Sequence, residues 1–274
     1  MILKIWMMKA ILKLNKFLVV RFFLIWVVLL VIFLFFQNDK KMKIKFFTKN
    51  NGFSKGVYKS LNCGLRSNDN PKRIKANIDE AITNFSKQKK PLILPVQSHS
   101  NKCLIVKNIN KNYHCDGLVS NKSNIILGIT TADCLPIILI DQKNKVFGIC
   151  HAGWRGLLGG IIQNTIKKMR QLNSKNTNIH AYIGPCIRKM SYEVSESFVN
   201  SLPPKYRVFS YKKKEKYYYD LPKLAKYILS ETRIFNINDT KKNTFIDANY
   251  FSYRESRKNK FTDYGRNISM VALN

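Results

Sequence analysis

From residue 43 onward the apolar positions switch between a period of two and a period near 3.6, and the switches mark out the elements. Lys43-Ile44-Lys45-Phe46-Phe47 alternates as a half-buried strand does. Ile74, Ile78, Ala81, Ile82 and Phe85 recur at helical spacing, and Asn70-Pro71 ahead of them is a helix-start signal. Apolar runs at 92–96, 103–106, 125–130 and 135–140 predict four strands, and a fifth is predicted at 146–150 after a turn at 141–144. A helix is expected over 157–172, a strand over 179–183, and helices over 193–200 and 221–232. Strands at 244–246, 251–254 and 268–272 close the chain. Strands and helices interleave without a regular βαβ repeat, so the expected fold is a single-domain layered α/β sandwich with a mixed β-sheet, and not a doubly wound nucleotide fold.

Residues 1–41 have a different character. Lys4, Lys9, Lys13, Lys16 and Arg21 precede an unbroken apolar run over 22–36. If Arg21 snorkels, the apolar stretch 17–36 comes close to the roughly 20 residues that a membrane-spanning helix needs. No small-residue cleavage site follows the run, which favours an uncleaved anchor over a signal peptide. Lysines flank it on both sides (Lys13 and Lys16, then Lys40, Lys41 and Lys43), so charge leaves the orientation undecided. An equal alternative is that Met42 is the true start and 1–41 an upstream extension. In either case 42–274 reads as one domain, expected in the cytoplasm and tied to a membrane only through 17–36.

Composition narrows the function classes. The chain has 274 residues, 45% of them hydrophobic, enough for a large core. A formal charge of +32 arises from 48 Lys+Arg against 16 Asp+Glu. Lysine, asparagine and isoleucine are abundant and glycine is scarce, as an AT-rich genome dictates. The basic residues are spread along the chain with no arginine-rich or aromatic-interleaved stripe, which argues against a nucleic-acid binder. Six cysteines without a CxxC pair fit a reducing compartment, where a special cysteine acts as ligand or nucleophile.

Candidate chemistry gathers at strand ends. His99 in PVQSHS, Cys134 in TTADCLP and His151 in ICHAGWRG each end an apolar run. Two imidazoles and a thiolate suit zinc or copper, and three protein ligands leave a fourth position open for water or substrate. The spacing matches no local zinc signature. Taken singly, Cys134 reads as a core cysteine and His99 as a loop histidine. After His151, Gly153, Gly156, Gly159 and Gly160 permit close backbone approach. Arg155 adds a planar cation, and a helix starting near Leu157 adds its N-terminal dipole, together suiting a phosphate or carboxylate. A phosphate-loop pattern is absent. The same atoms suit a nucleophile and base, Cys134 with His151, with Asp133 as orienter; its adjacency to Cys134 argues against that role. His114 and His180 read as structural or exposed.

TTADCLPIIL, ICHAGWRGLLGGI, IGPCIRKMSYEV and YFSYRESRKNKFTDYGRNISMVAL, in this order and spacing, resemble the laccase-domain family. Its members, once labelled multicopper polyphenol oxidases, are described as purine nucleoside phosphorylases with adenosine deaminase activity. The resemblance implies a single α/β domain holding zinc (copper in some cases) on His99, Cys134 and His151. It also implies phosphorolysis of adenosine, inosine and methylthioadenosine, with hydrolytic deamination of adenosine. Cys134 and His151 are then catalytic as well as metal-binding. Arg155 with its turn is expected to hold phosphate, and Asn62 in SLNCG and Arg254 in FSYR match family positions expected to line the pocket. The implied partners are purine nucleosides and phosphate, and the chain is expected to be a monomer. Three departures put substrate preference in question. Gln97-Ser98-His99-Ser100 replaces Gln-Val-His-Gly, Asp247-Ala248 replaces Cys-Thr, and Glu255 replaces a second arginine. Some relatives are assigned instead to peptidoglycan editing, as amidases removing L-serine from a cell-wall precursor, which is the alternative function. For the N-terminus, mass spectrometry of the native protein separates the readings: a chain beginning at Met42 removes the anchor.

Overall fold

Whether both faces of a strand are buried decides the layering of this protein. In the computed structural model residues 25–27 and 41–274 are described, and Met42–Asn274 forms one compact unit. Its strands are β1 (Met42–Phe46), β2 (Leu92–Ile93), β3 (Cys103–Ile105), β4 (Gly117–Ser120), β5 (Ile126–Thr131), β6 (Leu135–Asp141) and β7 (Val146–Ala152). After them come β8 (Ile179–Ile183), β9 (Glu193–Val194), β10 (Ser210–Lys213), β11 (Lys216–Tyr219), β12 (Ile237–Asp239) and β13 (Asn267–Leu273). They form a four-stranded sheet in the order β1-β13-β5-β2, a six-stranded sheet β12-β8-β6-β7-β4-β3 and a small sheet β10-β11-β9. The pairs β2–β5, β3–β4 and β8–β12 are parallel and the others antiparallel, so the two large sheets are mixed, as expected.

Alternate residues of the same strand enter different cores. Ile138, Ile140, Phe147 and Ile149 of the six-stranded sheet meet Leu127, Ile129, Val271 and Leu273 of the four-stranded sheet. Their neighbours Leu135, Ile137, Leu139, Cys150 and Ala152 point the other way. They pack there with Ile162, Ile166 and Met169 of the helix Ile161–Arg170 and Leu224, Ala225 and Ile228 of the helix Leu221–Glu231. On the far side, Ile126, Ile268, Met270 and Ala272 cover Ala81 and Phe85 of the helix Pro71–Phe85. The order is therefore helix, sheet, sheet, helices. Central strands covered on both sides need unbroken apolar runs. Each fully buried Ile or Leu contributes roughly 1.5–3 kcal/mol.

Several elements depart from the periodicity reading. The helix expected over 157–172 starts at Trp154 and divides at Gly160, whose left-handed φ of 94° separates Trp154–Gly159 from Ile161–Arg170. The strand expected at 251–254 is the start of the helix Tyr253–Lys258: Ser252 accepts from the Glu255 backbone N–H at 3.1 Å, using the S-x-x-E capping signal. No strand forms at 244–246, where residues 244–250 instead follow turns that lead toward the site. β4, β12 and the β10–β11 hairpin carry too short or too polar a pattern (KKKEKYYY in the hairpin) to register as strands. The candidate anchor over 17–36 lies outside the described residues apart from 25–27. Among the described residues no helix is long and apolar enough to cross a membrane.

One ion-pair network closes the edge of the six-stranded sheet. Arg188 donates through Nη1 and Nη2 to the two carboxylate oxygens of Asp239 at 2.9 and 2.7 Å, and Lys226 Nζ stands 2.7 Å away. Burial pushes the Asp239 carboxyl up, but hydrogen bonds from Arg188 and Lys226 outweigh it and bring it down to about 2. A folded value below the unfolded one, about 3.9, means the stabilisation is present above pH ~4 and is lost as pH falls toward 2. Asp239→Asn is expected to lower the unfolding free energy by about 2 kcal/mol at pH 7. Urea titrations across pH should show that deficit shrinking between pH ~4 and ~2; a deficit independent of pH would contradict the assignment.

Candidate functional site

Strand pairing brings distant residues to one point. In the β6–β7 ladder Leu135 faces Ala152 and Pro136 faces His151, which sets Cys134, one residue ahead of β6, beside the end of β7. The turn over 98–100 supplies His99. Ligand atoms of His99, Cys134 and His151 lie within 4.8 Å of one another, and the two imidazole rings meet edge to face with centroids 4.6 Å apart. Gly153 leaves room for this closeness, since a Cβ there would lie 3.0 Å from Cys134 Sγ and 3.3 Å from His99 Cδ2 and would press on both ligands.

Asp116, just ahead of β4, holds two members of the cluster together. Its Oδ1 accepts from His151 Nδ1 at 2.8 Å and from the His99 backbone N–H at 3.0 Å. Its Oδ2 accepts from the backbone N–H groups of Ser98 (3.1 Å) and Ser100 (2.7 Å), and from the Ser100 hydroxyl (2.7 Å). Three successive N–H groups converging on one carboxylate hold His99 at a left-handed φ of 59°, a conformation that costs a non-glycine residue on the order of 1–2 kcal/mol. With Nδ1 engaged, Nε2 of His151 is the nitrogen left for a metal.

The same contacts set the charges. Burial pushes Asp116 up, but hydrogen bonds from His151 and Ser100 hold it well below the usual carboxylate range. Burial also pushes the Cys134 thiol up, yet the His151 charge and hydrogen bonds from both histidines bring it down to about 7. For His151 burial pulls down, while Cys134 and Asp116 raise it to about 9. A thiolate facing an imidazolium results, and a divalent cation taking the place of the imidazolium proton satisfies the same acceptor. Cys134 is the one partly exposed thiol; burial pushes Cys63, Cys150 and Cys186 up to about 12. The core-cysteine reading of Cys134 is thereby set aside.

The cluster stands where two lobes of a cleft meet, His99, Ala132, Cys134 and Tyr264 belonging to both. One lobe, of about 290 Å³, is walled by Arg66, Gln97, Thr130, Thr131 and Arg266. The other, of about 380 Å³, is walled by Trp154, Arg155, Tyr192, Leu221, Tyr253 and Arg254. Both are of the size that takes a small ligand.

The residues singled out from sequence fall into three groups. His99, Cys134 and His151 come together. Arg155 and Arg254 line the second lobe, Arg155 with its guanidinium 4.4 Å from the Trp154 ring centroid and Arg254 donating to the Glu193 carbonyl at 2.7 Å. Asn62 does not line the cleft: it is fully buried, and its amide bonds Ser67, Asp69 and the backbone N–H groups of Gly64 and Arg266. Asp133 does not orient His151. Its carboxylate, buried and pushed up by that burial, accepts from Thr244 (2.6 Å), Ser252 (3.0 Å) and the Arg254 backbone N–H (2.7 Å), which ties Arg254 to the cleft. His114 and His180 are exposed. Asp116, Tyr192, Tyr264 and Arg266 went unmarked in the sequence; the one local signal for Asp116 is a lone acid in an otherwise apolar and basic run, Cys115-Asp116-Gly117.

Two sheets face to face, with a His/Cys/His cluster braced by a carboxylate in a two-lobed cleft, define an α/β-sandwich protein with a candidate mononuclear metal centre. Residues 43–274 match the family described as multi-copper polyphenol oxidoreductase laccase, and the chain belongs to that family. It is 35% identical over 199 residues to a purine nucleoside phosphorylase of Rickettsia prowazekii, covering 68% of this chain and 79% of the relative. It is 28% identical over 224 residues to a purine nucleoside phosphorylase of Haemophilus influenzae, covering 80% and 86%. Among solved structures it resembles a Neisseria meningitidis protein (28% identity, TM-score 0.75, covering 85% of this chain and 94% of that one). A hypothetical protein of Bacillus licheniformis is similar too (25% identity, TM-score 0.77, 85% and 93%). The brace gives the centre a testable property. Asp116→Ala is expected to weaken zinc binding roughly 10- to 100-fold, as read by competition with a chromogenic chelator, and a folded variant with unchanged affinity would remove the role given to Asp116.

Proposed function

We propose that this chain is a metal-dependent purine nucleoside phosphorylase, acting on adenosine, inosine and methylthioadenosine with phosphate as co-substrate, and deaminating adenosine as a second reaction. The observation that carries this reading is the convergence of His99, Cys134 and His151 on a cleft with room on both sides, in a chain whose relatives bear the phosphorylase name. The donor set fits a metal: two imidazoles and one low-pKa thiol are soft or borderline ligands that suit zinc or copper, and no fourth residue joins the cluster among the described residues. When bound, the ion supplies Lewis acidity for polarising a substrate group or water.

The chain's own residues supply the remainder. Asp116 keeps the His151 proton on Nδ1 and so presents Nε2 to the cleft. Trp154, Tyr192 and Tyr253 offer aromatic faces to a planar base, and Arg155 and Arg254 stand over Trp154 and Tyr192 with centroid distances of 4.4 and 5.4 Å. Burial of the Tyr192 phenol holds it protonated and able to donate a hydrogen bond. The anion role expected for the turn after His151 is weakened, because the helix Trp154–Gly159 has six residues and its one cation, Arg155, sits over the Trp154 ring.

Incubation of the zinc-loaded protein with adenosine and phosphate is expected to release adenine and ribose 1-phosphate, and chelation to abolish the reaction until zinc is restored. Cys134→Ala should lose both bound metal and at least about 10²-fold in kcat/KM. Retention of full metal content and full phosphorolysis by that variant would sink the assignment, and turnover of a serine-bearing cell-wall precursor in place of nucleoside would transfer it to the amidase alternative.

A further inference from the structure

Phosphorolysis joins two co-substrates at one carbon. A phosphate oxygen bonds to C1′ of the ribose while the C1′–N9 bond breaks; its electron pair leaves with the base, which takes up the proton that phosphate gives up. Attack opposite the leaving group requires an anion site and a base site on either side of the reacting carbon, and the cleft has two lobes with the cluster between them.

The lobes differ in chemistry. Trp154, Tyr192, Leu221 and Tyr253 make the larger one mainly apolar, and its two arginines, Arg155 and Arg254, rest over the Trp154 and Tyr192 rings. The smaller lobe presents Arg66, Arg266, Gln97, Thr130 and Thr131, and no Asp or Glu lines it. Resting on the phosphorylase reading above, we propose that the lobe walled by Arg66 and Arg266 binds inorganic phosphate, with base and ribose in the aromatic lobe.

Both arginines are built into place. Arg66 donates from Nη1 to the Gln97 carbonyl at 3.0 Å, which leaves its other guanidinium N–H groups for a ligand. Gln97 is in turn fixed by two bonds of 2.9 Å to the backbone of Thr130. Arg266 stacks on Tyr264 with 4.0 Å to the ring centroid, and Nη1 alone bonds Asp263 and the Tyr264 carbonyl. Its stem passes over Gly64, where a Cβ would come within 2.4 Å of the arginine Cδ. Asn62 Oδ1 accepts from both the Gly64 and the Arg266 backbone N–H at 3.0 Å, so Asn62 is the positioning residue that sets this arginine against the lobe. A planar cation held by one of its nitrogens and stacked on an aromatic ring has its remaining donors preorganised for a tetrahedral oxyanion.

The test uses the zinc-loaded full chain. Arg66 is exposed, so Arg66→Met is expected to fold, and it should raise the KM for phosphate roughly ten- to a hundredfold with the nucleoside KM within about twofold. Arg66→Lys should recover part of the loss. Arg155→Met, in the other lobe, should raise the nucleoside KM. An unchanged phosphate KM in Arg66→Met, or a phosphate KM that responds to Arg155→Met alone, overturns the assignment. Should the wild type show no phosphorolysis, the reading of function fails and the site is judged by calorimetric titration with inorganic phosphate. Binding by wild type that is lost in Arg66→Met then supports the anion lobe; absent or equal binding overturns it.

Discussion

A single buried carboxylate is the constraint on which the centre depends. Asp116 reaches two of the three candidate ligands, one through its imidazole and one through its backbone, and it is itself fixed by the start of β4, whose backbone pairs with β7. Such an acceptor is stable inside the protein because its donors satisfy it, and the four bonds from Ser98, His99 and Ser100 also define the turn that carries His99. Charge follows from that geometry: the Cys134 charge and the ionised Asp116 carboxylate raise His151 against its burial, and His151 lowers Cys134. The metal-ready state is thus a property of the sheet pairing as much as of the ligands.

Asp133 performs the matching task on the opposite side of Cys134. Its left-handed φ of 83° turns the backbone so that the thiol enters the cleft while the carboxylate turns away to hold Thr244, Ser252 and Arg254. Two acidic residues, neither of them a member of the cluster, therefore set one wall each, Asp116 the histidine side and Asp133 the arginine side. In a chain with three basic residues for every acidic one, the few acids that are buried have specific positional work.

What was legible in the sequence reflects what is local. The runs that became β5, β6, β7 and β13 are apolar on both faces because sheets or helices cover both, and that leaves an unmistakable pattern. Polar edge strands such as β10 and β11 leave none, and the capping residue Ser252 outweighed the apolar look of Tyr250-Phe251. Among the site residues, His99, Cys134 and His151 were recognisable through motifs but not through spacing, since pairing between strands and not sequence distance brings them together. Asp116 and Arg266 were invisible for the same reason. Asn62 was expected to line the pocket from its motif, whereas it lies buried behind the wall, bonded to the Gly64 and Arg266 backbones, a placement that only the folded contacts reveal.

The position of β13 has a consequence for the order in which the molecule can be assembled during synthesis. β13 follows every other described strand in chain order, yet it lies between β1, the first of them, and β5, pairing with both along most of its length. Until β13 has emerged from the ribosome, β1 lacks its one partner among the described strands, and Tyr264 and Arg266, just upstream of β13, cannot close the cleft. The cleft is therefore completed late, by contacts of very high sequence separation, and the nascent chain carries an open sheet edge until β13 emerges.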